Sequence, residues 1–106
     1  MTKAQIVDRI AAATGLTKME TEAVVEGFMV TVIDAVKDGD LVELRGFGTY
    51  RARERAPRMA RNPQTDEPVE VPRHYVPVFK PAAEFRRVVN EARIEADAGN
   101  AAAEAE

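Results

Sequence analysis

The stretch RMARNPQTDEPVEVP, residues 58–72, constrains this chain more than any other part of it. Pro63, Pro68 and Pro72 exclude a helix, because each removes a backbone donor and crowds the preceding turn. No large apolar residue lies between Met59 and Val69, so the segment has little with which to enter a core. It has to project from a body built by the rest of the chain, and Arg58 and Arg61 give it positive charge.

The flanking sequence supplies that body. Thr2 and Gln5 have capping-box spacing ahead of Ile6, Val7 and Ile10 on one helical face, and Gly15 stands where a C-terminal cap belongs. Thr17 and Glu20 repeat the box and open a run in which Val24, Val25, Phe28, Met29, Val32, Ile33 and Val36 recur at helical spacing, closed by Gly39. The pattern predicts helices over about 3–14 and 18–38, the second with a stripe too wide for one short helix to cover. LVELR (41–45) and TYRARERA (49–56) then alternate with period two around Gly46-Phe47-Gly48. This predicts a hairpin whose glycines allow φ > 0 and whose Phe47 points to the core. Arg51, Arg53 and Arg55 share one strand face, Tyr50 and Ala52 the other.

HYVPVFKP (74–81) reads as a further strand, and Pro81 can begin a helix, where its missing N–H costs nothing. Phe85, Val88 and Val89 give that helix a short apolar face. From Glu91 the chain is rich in Ala and Glu: residues 91–97 can extend the helix, and disorder is expected from Gly99 onward. One domain is expected for 106 residues, of the α+β class. Without 57–73 and the tail, roughly 73 residues remain for a core, marginal for a domain standing alone. Phe28, Phe47, Tyr50, Phe79 and Phe85 nevertheless need cover, and obligate dimerisation is the economical way to provide it.

The net charge of −3 conceals a segregation. Residues 1–40 carry 4 Lys and Arg against 7 Asp and Glu, residues 41–90 carry 10 against 6, and residues 91–106 carry 1 against 5. A basic middle between acidic ends points to a polyanion as its partner. The sequence has no cysteine and a single histidine, His74, which excludes disulfides, thiolate metal sites and a histidine-based triad within one chain. No apolar run approaches a membrane span, MTKAQIVDRI lacks a signal-peptide core, and a cytoplasmic location is expected. Glu54, Glu67 and Glu70 read as salt-bridge partners of neighbouring arginines, not as catalysts. No enzyme activity, cofactor, metal or small-molecule substrate is expected.

Residues 53–73 thus read as an arm: RARERAPR leaving the body, EPVEVPR returning to it, and RNPQTDEP at the tip. Arginines along a ribbon suit a narrow anionic groove, and a proline at the tip is a compact apolar wedge. Minor-groove architectural proteins, HU and IHF among them, combine these two parts. GFGTYRARERAPRMARNPQT (46–65), VPVFKP (76–81) and the opening MTKAQIVDRIAAATGLTK together resemble the bacterial histone-like HU/IHF family, without gaps over residues 1–90 and closer to HU. The resemblance implies an intertwined homodimer: a helical hairpin base, an antiparallel β saddle with a long β-ribbon arm on each chain, and a short C-terminal helix. It implies that double-stranded DNA is the partner and that Pro63 intercalates. Arg53, Arg55, Arg58, Arg61, Asn62 and Gln64 would line the arm, with Arg73 on its returning strand. Lys3, Lys18, Lys80, Arg86 and Arg87 would meet phosphates along the flanks.

The sequence departs from the family pattern at several places. Ala60 stands where glycine usually precedes the tip, Asp66 where glycine follows it, Met59 for a polar or basic residue, and Ala83 where lysine is common. Asp66 can adopt the left-handed conformation, so the turn is expected to survive, with its charge weakening phosphate attraction. The expected function is an architectural, nucleoid-associated protein that bends and compacts DNA with little sequence preference, since the minor groove offers a degenerate pattern. Two other readings stay open: a site-specific bender like IHF, and an interaction protein whose acidic tail has reduced DNA binding.

Overall fold

The computed structural model describes the backbone of residues 1–105 and the side-chain surroundings of residues 1–100. It opens with the two expected helices, α1 (Lys3–Thr14) and α2 (Lys18–Lys37). Thr2 and Gln5 close the full reciprocal capping box, and Gly15 ends α1 at φ 77° with its N–H on the Ala11 carbonyl. At α2 the Thr17 hydroxyl accepts from the Glu20 N–H at 3.1 Å and donates to the Glu20 carboxylate at 2.8 Å. Two bonds of the Schellman type, a short one from Gly39 N–H to the Val36 carbonyl and a wide one from Asp40 N–H to the Ala35 carbonyl, finish α2, with Gly39 at φ 88°.

Strands β1 (Val42–Leu44), β2 (Gly48–Arg55) and β5 (His74–Pro81) form an antiparallel sheet in the order β1-β2-β5. Between β2 and β5 lie β3 (Arg58–Arg61) and β4 (Pro68–Val71), which pair only with each other and form the projecting ribbon. Phe47 sits in the β1–β2 turn, its N–H on the Leu44 carbonyl at 2.9 Å and its ring 5.3 Å from Phe79 and 5.4 Å from Phe85. Tyr50 joins the cluster 4.6 Å from Phe79. This aromatic group binds turn, sheet and last helix into one body.

The C-terminal part differs from expectation in two ways. The expected strand over 74–81 is β5, but Pro81 ends it and does not begin the helix; β5 is an edge strand of this sheet, where a missing N–H is tolerated. The Ala82 N–H is spent on the Phe47 carbonyl at 2.8 Å, and the helix α3 runs Ala83–Ala105. It is therefore a long helix of 23 residues, and it continues through Gly99, where disorder was expected. Ala, Glu and Arg favour helix intrinsically, and Arg87–Glu91 (3.2 Å) and Arg93–Asp97 (3.8 Å) add pairs one turn apart. Glu106 lies outside the described residues.

Very little of this chain is covered by itself. Among the described residues only Val7, Ala11 and Val36 are buried apolar side chains, with Thr21 the one buried polar residue. Thr21 is satisfied by the Thr17 carbonyl at 2.8 Å. Val24 and Ile33 are each 64 % exposed and Phe28 47 %. The radius of gyration is 20.2 Å, against about 13 Å for a compact domain of this length. The accessible surface is 8840 Å², whereas a monomeric protein of this mass would expose about 5,900 Å². The ribbon and the end of α3 account for part of the excess; the unpaired helix and sheet faces account for the rest.

Gly48 has no room for a side chain. A Cβ there would fall 2.6 Å from the Lys80 carbonyl oxygen and against the Phe79 ring. Gly48→Ala is expected to cost about 1–3 kcal/mol by overpacking, read as a lower denaturant midpoint with an unchanged slope.

Candidate nucleic-acid interface

Strand alternation decides which cations act together. Cross-strand partners lie on one face, so Arg51, Arg53 and Arg55 of β2 share a face with Lys80, which pairs with Thr49. All four are exposed, and among the described residues none has an ionic partner. Arg51 belongs to this row although only Arg53 and Arg55 were expected as contacts; its signal was already present in the alternation. Lys80 also borders a groove with Arg86 and Arg45, a second cation that sequence reasoning passed over.

Arg73 lies elsewhere. Its guanidinium bonds the Glu54 carboxylate through Nε and the Tyr75 hydroxyl through an Nη at 2.7 Å. Glu54 and Tyr75 are cross-strand partners on the face opposite the arginine row. The structure therefore separates Arg73 from Arg53 and Arg55. These contacts also hold its pKa above the ordinary arginine value, the Glu54 hydrogen bond first and Tyr75 second.

The ribbon carries the tip. β3 and β4 pair from Arg58↔Val71 to Arg61↔Pro68, and odd spacing puts Arg58 and Arg61 on opposite faces. Beyond them the turn is closed by the Asn62 N–H on the Glu67 carbonyl (3.0 Å) and the Asp66 N–H on the Asn62 carbonyl (2.7 Å). The Asn62 side-chain oxygen accepts from the Gln64 N–H at 2.9 Å, fixing the backbone on either side of Pro63, which stays exposed at the apex. Asp66 does adopt the left-handed conformation, at φ 57°. Arg61 donates to the Asp66 carbonyl at 3.1 Å and stands 3.4 Å from its carboxylate, so this cation fastens the turn and is partly neutralised there.

Three of the flank cations also have acidic neighbours. Lys3 bonds Glu26 and stands 4.0 Å from Glu22, and the Glu26 bond holds the ammonium above the ordinary lysine pKa. Lys18 pairs with Asp8 at 3.3 Å, and Arg87 with Glu91 at 3.2 Å. Lys3 and Lys18 border one shallow groove between α1 and α2. Among the described residues the expected contacts thus divide into cations without an ionic partner (Arg53, Arg55, Arg58, Lys80, Arg86) and cations shared with carboxylates (Lys3, Lys18, Arg61, Arg73, Arg87).

A helical hairpin under a short sheet, with a row of exposed arginines on the sheet and a proline-tipped ribbon projecting from it, is the build of a histone-like protein. The family model described as bacterial DNA-binding protein matches residues 1–90. DNA-binding protein HU 1 of Bacillus subtilis is 39% identical over 89 residues, covering 84% of this chain and 97% of its own. DNA-binding protein HU of a Nostoc species is 42% identical over 89 residues, covering 84% and 95%. Among solved structures, an Anabaena HU–DNA cocrystal matches with a TM-score of 0.80 and 42% identity over 84% of this chain and 97% of that one. The chain belongs to the bacterial DNA-binding protein family, alongside HU.

Asp66→Asn keeps a side chain that tolerates the left-handed turn while removing the charge beside Arg61. It is expected to tighten retention on an immobilised polyanion such as heparin by about two- to five-fold at low salt, the worth of one exposed ion pair. Unchanged elution would show that the Asp66 carboxylate does not restrain Arg61.

Proposed function

We propose that a homodimer of this chain binds double-stranded DNA and bends it with little sequence preference, acting on the nucleoid in the cytoplasm. Each β3–β4 ribbon lies in the minor groove, and Pro63 enters a base step as a wedge. The observation that carries the reading is the exposed Pro63, held at the apex of a ribbon with Arg58 and Arg61 on its two faces and backed by the unpaired row Arg51, Arg53, Arg55 and Lys80. A wedge alone would have no hold on the duplex, and cations alone would not bend it. The HU–DNA cocrystal supports DNA as the partner of this fold. The dimer is supported by the apolar surface left bare, including Phe28, Ile33, Phe85 and Val88.

DNA readout on this plan is by shape. The row of arginines meets phosphates and sugars, which position the protein without reading bases, and minor-groove contacts distinguish little beyond A·T from G·C. A site-specific mode would need base-edge contacts that the arm's guanidiniums and Gln64 can supply only in part. Residues 91–106 form an acidic appendage beyond the matched domain. Its Glu91 already holds Arg87, which favours some competition with phosphate over a passive extension.

Two measurements test the proposal. With about six to ten phosphates neutralised per dimer, log K against log salt is expected to slope by about −5 to −9, and a slope shallower than about −2 would contradict it. Pro63→Ala is expected to reduce the bend before the affinity, because the wedge converts unstacking, at a few kcal/mol, into longer wrapping. Energy transfer between the ends of a labelled duplex reads this directly. An unchanged bend would remove the wedge from the mechanism.

A further inference from the structure

The arm is not one continuous ribbon. The β2–β5 ladder ends at Arg55↔His74 and the β3–β4 ladder begins at Arg58↔Val71. The interruption has equal length on both strands: Ala56 and Pro57 going out, Pro72 and Arg73 coming back. Among the described residues no backbone hydrogen bond crosses it. Two of its four residues are prolines, which have no donor with which to bridge the gap. A ribbon unpaired on both strands at one level can bend there, while the paired segments on either side remain stiff.

One side chain from this level reaches back to the body. Arg73 lies inside the interruption, yet its guanidinium is anchored on the body side, to Glu54 and Tyr75 at the last turns of the β2–β5 ladder. Its carbon centre also sits 5.4 Å from the centroid of the Tyr75 ring. A second, shorter tie lies beside it: the His74 Nδ1 is 2.9 Å from the Pro72 carbonyl oxygen. We propose that Pro57 and Pro72 mark the flexion joint of the arm, and that Arg73, gripped by Glu54 and Tyr75, is the positioning residue that fixes the angle at which the arm leaves the body. This rests on the arm being the DNA-bending element, and it moves Arg73 from the set of phosphate contacts to the set that orients them.

Chemistry favours this assignment. Arginine presents donors in a fixed planar fork, so holding two acceptors at once defines a direction as well as a distance; lysine, a point charge, cannot do so. Exposed ion pairs contribute little to global stability. At a joint without ladder bonds little is needed, since even a few-fold bias between orientations decides where the arm points. Proper aim also lowers the ordering cost of placing the Pro63 tip against a duplex.

The test uses the full chain with one spin label per copy at the arm tip, introduced as Thr65→Cys in a protein that has no other cysteine. The tip-to-tip distance distribution in the dimer, measured without DNA, reports arm orientation. Arg73→Lys, Glu54→Gln and Tyr75→Phe are each expected to broaden it about two-fold, with thermal midpoints unchanged. Glu70→Gln, on the outer ribbon opposite Met59, should leave it as it is. Arg73→Lys keeps the charge, so a distribution unaltered in this variant, with DNA affinity retained, would return Arg73 to a simple electrostatic role and overturn the proposal. A wild-type protein that shows defined arms but does not bend duplex DNA would instead contradict the function proposed above and leave the brace standing.

Discussion

Contact between Phe47 and the rings of Phe79 and Phe85 holds the body together, because it is the place where three separate parts of the chain meet. The β1–β2 turn presents Phe47, the edge strand presents Phe79 and the last helix presents Phe85, at centroid separations of 5.3 to 6.3 Å. Gly48 lets the backbone pass close enough for this contact, and the Ala82 bond to the Phe47 carbonyl seats the start of α3. Even so, Phe47 remains 43 % exposed and Phe85 36 %. The cluster is half of an interior. Its other half, in the proposed dimer, comes from a second copy.

Given that body, charge placement explains how a protein of net charge −3 can address a polyanion. The acids are concentrated on the helices and on α3, where they pair with Lys3, Lys18 and Arg87. On the saddle face of β2 they give way to arginine, whereas the ribbon sets Arg58 and Arg61 among Asp66, Glu67 and Glu70. The Debye length at physiological salt is about 8 Å, so a phosphate backbone senses the nearest charges and not the total. Cations already paired with carboxylates must exchange one anion for another on binding, which lowers their contribution relative to the unpaired row.

Much of this was legible in the sequence because the features are local. Thr2 and Gln5, Gly15, Gly39 and the Gly46-Phe47-Gly48 turn announce their own caps and turns within a few residues. Pro63, Pro68 and Pro72 define an arm by what they forbid. The misjudged features depend on partners remote in sequence. Pro81 can be read as a helix start as well as a strand end, because the strand pairing that claims it, with Gly48, lies far upstream. The continuation of α3 past Gly99 reflects helix propensity outweighing one glycine. The carboxylate that holds Arg73, Glu54, is on another strand, and nothing near Arg73 in sequence announces the pair. The Lys3–Glu26 pair likewise joins two helices and carries no local signature.

The dependence of the fold on a second copy is the point most open to direct measurement. Sedimentation equilibrium, combined with helical circular dichroism over a dilution series from micromolar to low nanomolar, separates association from folding. If the apolar faces of α2, the sheet and α3 are covered only in the dimer, mass and helicity will fall together, and the unfolding midpoint will rise with protein concentration. A species of monomer mass that keeps full helicity, with a midpoint independent of concentration, would contradict this.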